Sequence, residues 1–259
     1  MIDAHIHLDQ YKNAEIERLM KNMRGSGVEG LVTVSTNLES SIANLALAER
    51  YPGIVHPAFG YHPENPLPTE EEAARLLSWM ERRAKRMIAV GEIGLPYYLR
   101  RQWAKEGRCL DLNAYVQLLE RFLSFAERHD KPVVLHAVYE DADLVCDILE
   151  RYPIRKAHFH WFKGSRHTVE KMAERGYYIS FTPDLLYEPE IIELARSYPA
   201  DQVMAETDGP WPFEGPFAGQ LTQPPMVLEI AEAWGAIQGI APEEARRRLR
   251  NNTRRFYGI

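Results

Sequence analysis

Short apolar runs, each followed by a longer amphipathic stretch, constrain this chain more than any other feature of its sequence. The runs are residues 1–5, 30–34, 54–58, 87–91, 132–136, 156–160, 177–181 and 202–206. They are rich in β-branched and aromatic residues and short enough for strands. Helical periodicity covers 14–24, 39–51, 70–85, 113–129, 141–151, 166–175, 189–197 and 224–238, with a last short helix over 242–250 behind Pro242. Over 113–129, Tyr115, Leu118, Leu119, Phe122, Phe125 and Ala126 recur at spacings of three and four, which places them on one helical face. This alternation is that of an α/β chain, and its count is that of a (β/α)8 TIM-type barrel. A doubly wound open sheet is the competing arrangement. No linker, repeat or low-complexity stretch divides the 259 residues, so one domain over 1–259 is expected. Two connections exceed the usual few residues, 94–112 and 207–223. In a barrel both lie on the face formed by the C-terminal ends of the strands, where active sites are built.

Charge narrows the function. There are 31 Lys and Arg against 37 Asp and Glu, a net charge of −6 with histidine neutral. A protein that coats DNA carries a large positive excess, so that class is excluded. An enzyme acting on nucleic acid stays open if its site supplies positive charge locally. The 2 cysteines, Cys109 and Cys146, form no CxxC pair, which excludes a disulfide scaffold and a cysteine-based zinc site. No apolar run approaches the roughly 20 residues that span a bilayer. The start, Met1-Ile2-Asp3-Ala4-His5, lacks the basic and then apolar pattern of a signal segment. A cytoplasmic protein with no membrane contact and no obligate protein partner is the expectation.

Several ionisable residues fall at the ends of apolar runs. His5 and His7 form an H-x-H at the end of the first, and residues two apart on a strand share a face. Glu92 ends the fourth, His136 the fifth and His160 the sixth, and Asp208 follows the eighth. Burying these groups separately is costly; converging them on divalent ions removes that cost. Imidazoles with two carboxylates suit Zn, Mn or similar ions. A carboxylate such as Glu92 can bridge two ions, and an ion pair of that kind can activate water and stabilise a leaving oxygen.

The chain resembles the TatD family of metal-dependent hydrolases, within the amidohydrolase-like barrel superfamily. The resemblance rests on Asp3-Ala4-His5-Ile6-His7-Leu8, Gly60-Tyr61-His62-Pro63, Gly91-Glu92-Ile93-Gly94-Leu95, Leu135-His136, His160-Trp161-Phe162-Lys163-Gly164-Ser165 and Glu206-Thr207-Asp208, in that order. It implies a barrel holding two divalent ions (Zn, Mn or Mg) on His5, His7, Glu92, His136, His160 and Asp208. Asp208 would also orient or deprotonate the attacking water, with Glu92 as its partner in catalysis. It implies phosphodiester hydrolysis in DNA, with hydrolysis of a small ester, lactone or amide as the alternative, and His62 near the substrate. Glu206 would support the site from behind, and His158 is a packed strand histidine or, alternatively, a ligand or a partner supporting one.

Three positions depart from the family pattern: Pro96 where Asp is common, Val138 where Arg is common, and Thr222-Gln223-Pro224-Pro225 in place of an Asn-Glu-Pro turn. None removes an expected ligand; all lie where the substrate is expected. The 94–112 connection carries Arg100, Arg101, Lys105 and Arg108 interleaved with Tyr97, Tyr98 and Trp103. Cations with stacking rings suit single-stranded nucleic acid or another phosphorylated ligand; the alternative is a solvated loop whose rings pack on the barrel. Lys163 is a second candidate phosphate contact. DNA or a small phosphorylated or ester substrate is thus the expected partner.

Overall fold

All eight apolar runs form strands in the computed structural model, which describes residues 1–259. They are β1 (Ile2–Ile6), β2 (Gly30–Thr33), β3 (Val55–Phe59), β4 (Ala89–Gly94), β5 (Val133–His136), β6 (Ala157–Phe159), β7 (Tyr178–Phe181) and β8 (Val203–Ala205). The strands are parallel and neighbour one another in chain order. A doubly wound sheet reverses strand order partway, so this order selects the barrel. The ring is joined just beyond the last strand: Asp208 N donates to His5 O at 2.9 Å and His7 N to Gly209 O at 2.8 Å.

The helices are α1 (Asn13–Met23), α2 (Leu38–Arg50), α3 (Glu70–Glu81), α4 (Tyr97–Lys105), α5 (Leu112–Arg128), α6 (Glu140–Leu149), α7 (Arg166–Glu174), α8 (Pro189–Ser197), α9 (Val227–Gln238) and α10 (Pro242–Tyr257). Side chains alternate across each strand. Leu31, Val133, Leu135, Phe159 and Ile179 face outward into a large core with Phe122 and Phe125 of α5. Small residues fill the barrel interior, among them Ala4, Val32, Ala58, Ala89 and Val134, and Phe256 and Tyr257 at the end of α10 close its lower end. No helix is long and apolar enough to cross a membrane.

The structure corrects the sequence reading at three points. The 94–112 connection is not irregular, because α4 occupies half of it. Its opening N–H groups, on Tyr98 and Leu99, are accepted by Glu64 at sequence separations of 34 and 35. A cap from so far away leaves no local signature. Helix α10 runs to Tyr257 rather than stopping at 250. Asn251, Asn252 and Thr253 are weak helix formers, but buried Asn252 donates to Ala200 O and Val203 O and holds the helix against the barrel. Strand β4 extends to Gly94, so Glu92 lies inside the strand instead of ending it.

Candidate metal centre

His5, His7, Glu92, His136, His160 and Asp208, from β1, β4, β5 and the residues after β1, β6 and β8, converge at the upper end of the barrel. Two register irregularities aim them there: the β1–β2 pairing shifts between Asp3 and Ile6, and the β4–β5 pairing between Val90 and Ile93. Bulges re-aim side chains in this way. Gly94 permits the second, since a Cβ there would stand 1.9 Å from His136 O. Asp208 holds a left-handed backbone (φ 48).

The carboxylate of Glu92 divides the histidines into two groups. Its Oε2 lies 3.2 Å from His5 Nε2 and 3.3 Å from His7 Nε2. Asp208 Oδ1 joins this group, 3.2 Å from His5 Nε2 and 3.4 Å from His7 Nε2. Glu92 Oε1 instead lies 2.8 Å from His160 Nε2, 3.0 Å from His136 Nδ1 and 3.1 Å from His62 Nε2. The His5 and His160 rings stack at 3.8 Å between the groups.

These close contacts are not all hydrogen bonds. His5 Nε2 lies 3.2 Å from both Glu92 Oε2 and Asp208 Oδ1, and all three atoms are buried without a hydrogen-bond partner. Buried polar atoms are rarely left so. Lone pairs converging on shared points, without protons between them, fit the coordination of divalent cations. Without a cation, protons compensate. Burial disfavours a His7 cation, yet Asp208 and Glu92 outweigh it and push His7 up to about 10. Burial is likewise overcome at His136, which Glu64 and Glu92 push up to about 9. Glu92 is held well below the usual carboxylate range, against its burial, by His160 and the other imidazoles.

His62 differs from the other histidines. Its Nδ1 accepts from Glu64 N at 3.2 Å, so its proton sits on Nε2 and points at Glu92. Burial lowers its pKa and keeps the ring neutral. It offers a donor where the others offer lone pairs.

A cavity of about 740 Å³ opens above the centre. His7, His62, His136, His160 and Asp208 form its floor, and Tyr98, Trp161, Lys163 and Trp211 its walls. Tyr98 and Trp211 are 50% and 56% exposed at the rim. Lys163 Nζ lies 3.7 Å from Asp184, which also accepts from the Trp161 indole at 2.6 Å. Arg100 and Arg101 do not line the cavity. Arg100 pairs with Asp141 and Glu140, and Arg101 donates to Tyr97 Oη at 2.6 Å.

Three contributors were missed in the sequence. Glu64 Oε1 lies 3.1 Å from His136 Nε2, leaving Nδ1 to face the centre. Asp3 accepts from Thr207 N at 3.0 Å and from its hydroxyl at 2.6 Å, fixing the turn that carries Asp208. Asp184 pins the wall tryptophan. Asp3 stands in the D-x-H-x-H run, a signal that was available; Glu64 sits in a loop and Asp184 in a short 3-10 turn over Pro183–Leu186, and neither carries one.

Comparison with known proteins agrees with this geometry. A family model described as TatD related DNase matches residues 2–258. An uncharacterized metal-dependent hydrolase of Haemophilus influenzae is 33% identical over 259 residues, covering 100% of both chains. The human protein named deoxyribonuclease TATDN3 is 25% identical over 252 residues, covering 94% of this chain and 89% of its own. The crystal structure of YjjV, a TatD homologue from Escherichia coli, superposes with a TM-score of 0.84 at 26% identity, covering 100% of this chain and 98% of that one. The chain belongs to the TatD-related DNase family and is a metal-dependent hydrolase.

Proposed function

We propose that the chain hydrolyses phosphodiester bonds in DNA, using two divalent ions, Zn, Mn or Mg. The observation that carries the two-ion reading is Glu92, whose two oxygens each face a separate set of ligand atoms. His5, His7 and Asp208 with Glu92 Oε2 would hold one ion; His136 and His160 with Glu92 Oε1 would hold the other. Such ions, when bound, polarise a phosphoryl oxygen and make water acidic near neutral pH. Asp208 stands at the cavity floor, and with Oδ1 given to an ion its second oxygen is suited to orient the attacking water and take its proton. His62 lies on the cavity floor beside the substrate, its Nε2–H kept on Glu92, and Lys163 meets phosphate charge at the wall. The rim rings of Tyr98 and Trp211 suit the flat faces of bases. The human relative's name, deoxyribonuclease, points the same way.

One observation favours a second reading, a small ester or lactone. Lys163 is the one cation on the cavity wall, and Asp184 offsets part of its charge. The experiment is release of nucleotide from 3′-labelled single-stranded DNA in Mg, Mn and Zn, beside a panel of lactones, amides and phosphomonoesters. Metal-dependent release that disappears in Asp208→Asn is the expected result. No release with any metal, together with turnover of a small ester, selects the second reading.

A further inference from the structure

We propose that Tyr257, His158 and Ser180 are positioning residues that hold the Glu206 carboxylate against His160 and, through it, set which nitrogen His160 turns toward the metal centre. The inference rests on the reading of His160 as a metal ligand. A continuous row of buried polar groups runs along the barrel interior. Tyr257 Oη lies 2.8 Å from His158 Nδ1, His158 Nε2 lies 2.5 Å from Ser180 Oγ, and Ser180 Oγ lies 2.5 Å from Glu206 Oε2. Glu206 Oε1 accepts from Trp161 N at 2.8 Å and faces His160 Nδ1 at 3.4 Å. His160 Nδ1 is buried and makes no hydrogen bond, and Glu206 Oε1 is the carboxylate oxygen that faces it. All five residues are buried.

The direction of every hydrogen in this row follows from one end. Ser180 donates to Glu206 Oε2, the carboxylate oxygen being the acceptor. A hydroxyl has one hydrogen, so Ser180 accepts from His158, whose proton must then sit on Nε2. His158 Nδ1 is left as an acceptor, and Tyr257 supplies the hydrogen. The reverse orientation would let Tyr257 donate to Ala4 O, at 3.4 Å, but would leave Glu206 Oε2 facing a lone pair. With its orientation set, Glu206 draws the His160 proton to Nδ1 and leaves the Nε2 lone pair for the centre. Hydrogen-bond partners of ligating histidines fix tautomer and ring orientation in this way.

The test measures Zn²⁺ affinity of the full chain by competition with a chromophoric chelator, together with the His158 tautomer by ¹⁵N NMR. We expect His158 to carry its proton on Nε2. Ser180→Ala should weaken Zn²⁺ binding about tenfold or more, with Ser180→Thr restoring it because the hydroxyl returns. Tyr257→Phe should weaken it roughly two- to tenfold, the worth of one hydrogen bond, with the proton staying on His158 Nε2 because Ser180 still accepts it. A proton on His158 Nδ1, or a folded Ser180→Ala with wild-type affinity, overturns the proposal. Should Ser180→Ala fail to fold, Tyr257→Phe decides, and unchanged affinity overturns it. His160→Ala separates the two readings. If it too leaves Zn²⁺ affinity unchanged, the metal-ligand reading has failed; if it alone weakens binding, only the relay has failed.

Discussion

The two ends of the barrel obey opposite rules. At the lower end, Phe256 and Tyr257 fill the opening, and both nitrogens of His158 are hydrogen bonded. At the upper end, His5 Nε2, Glu92 Oε2 and Asp208 Oδ1 are buried without partners. Backbone strain follows the same division. Of the non-glycine residues with positive φ, Tyr139, Trp161 and Asp208 lie beyond strand ends at the site, and Asp130 alone precedes a strand. Each such residue costs about 1–3 kcal/mol. The comparison teaches that the lower end and the walls supply the stability that the upper end gives up for chemistry.

Substitutions at the two ends should therefore separate activity from stability. The largest effect belongs to the upper end: Asp208→Asn should lower kcat by about 10²- to 10⁴-fold, the range for losing a general base. Its melting temperature should fall only slightly, because the backbone at Asp208 is kept and only the carboxylate contacts with His5 and His7 are weakened. At the lower end, Phe256→Ala should destabilise by about 3–5 kcal/mol through the cavity it leaves, measured by urea unfolding. Metal affinity per folded molecule should stay within a fewfold of wild type. Equal loss of both properties in either variant would erase the contrast.

Metal removal sharpens the comparison through pH. In chelator-treated protein, His7 and His136 have folded pKa values raised to about 10 and 9 from an ordinary 6.5. A raised histidine contributes stability fully below the unfolded value and loses it as pH rises through the folded one. Metal-free protein should thus grow less stable between about pH 6.5 and 10. Metal binding needs those imidazoles deprotonated, so affinity should rise over the same interval. Thermal melts with and without Zn²⁺ across this range should diverge with pH; parallel curves would break the assignment. The smallest effect is expected of Arg101→Ala, since its side chain is spent on Tyr97 outside the cavity. The salt dependence of hydrolysis should not change, whereas Lys163→Ala should flatten it if the substrate is a polyanion.

Legibility in the sequence follows the range of the interactions. Strand positions were readable because burial on both faces demands unbroken apolar runs, and 113–129 was readable because its apolar spacing is local. The six convergent residues stood out because ionisable groups at the ends of apolar strands are rare. Helix α4 was not readable, since its cap is Glu64, and the basic residues within it turned away from the cavity for the same reason. Once 97–105 is helical, Arg100 faces Asp141 on α6 and Arg101 faces Tyr97 one turn earlier. Spacing along a presumed loop could not give that.

The seam of the barrel carries one more consequence. Asp208 is brought to His5 by the same backbone bonds that join the ring, and Asp3 meets Thr207 across 204 residues of chain. Contacts between such distant segments form late, because the loop they close is entropically expensive. The Asp208 carboxylate therefore reaches its place only when the first and last strands have met. A partly folded chain, however much helix it has gathered, holds no completed centre, and the return of activity during refolding would time the closure of the ring.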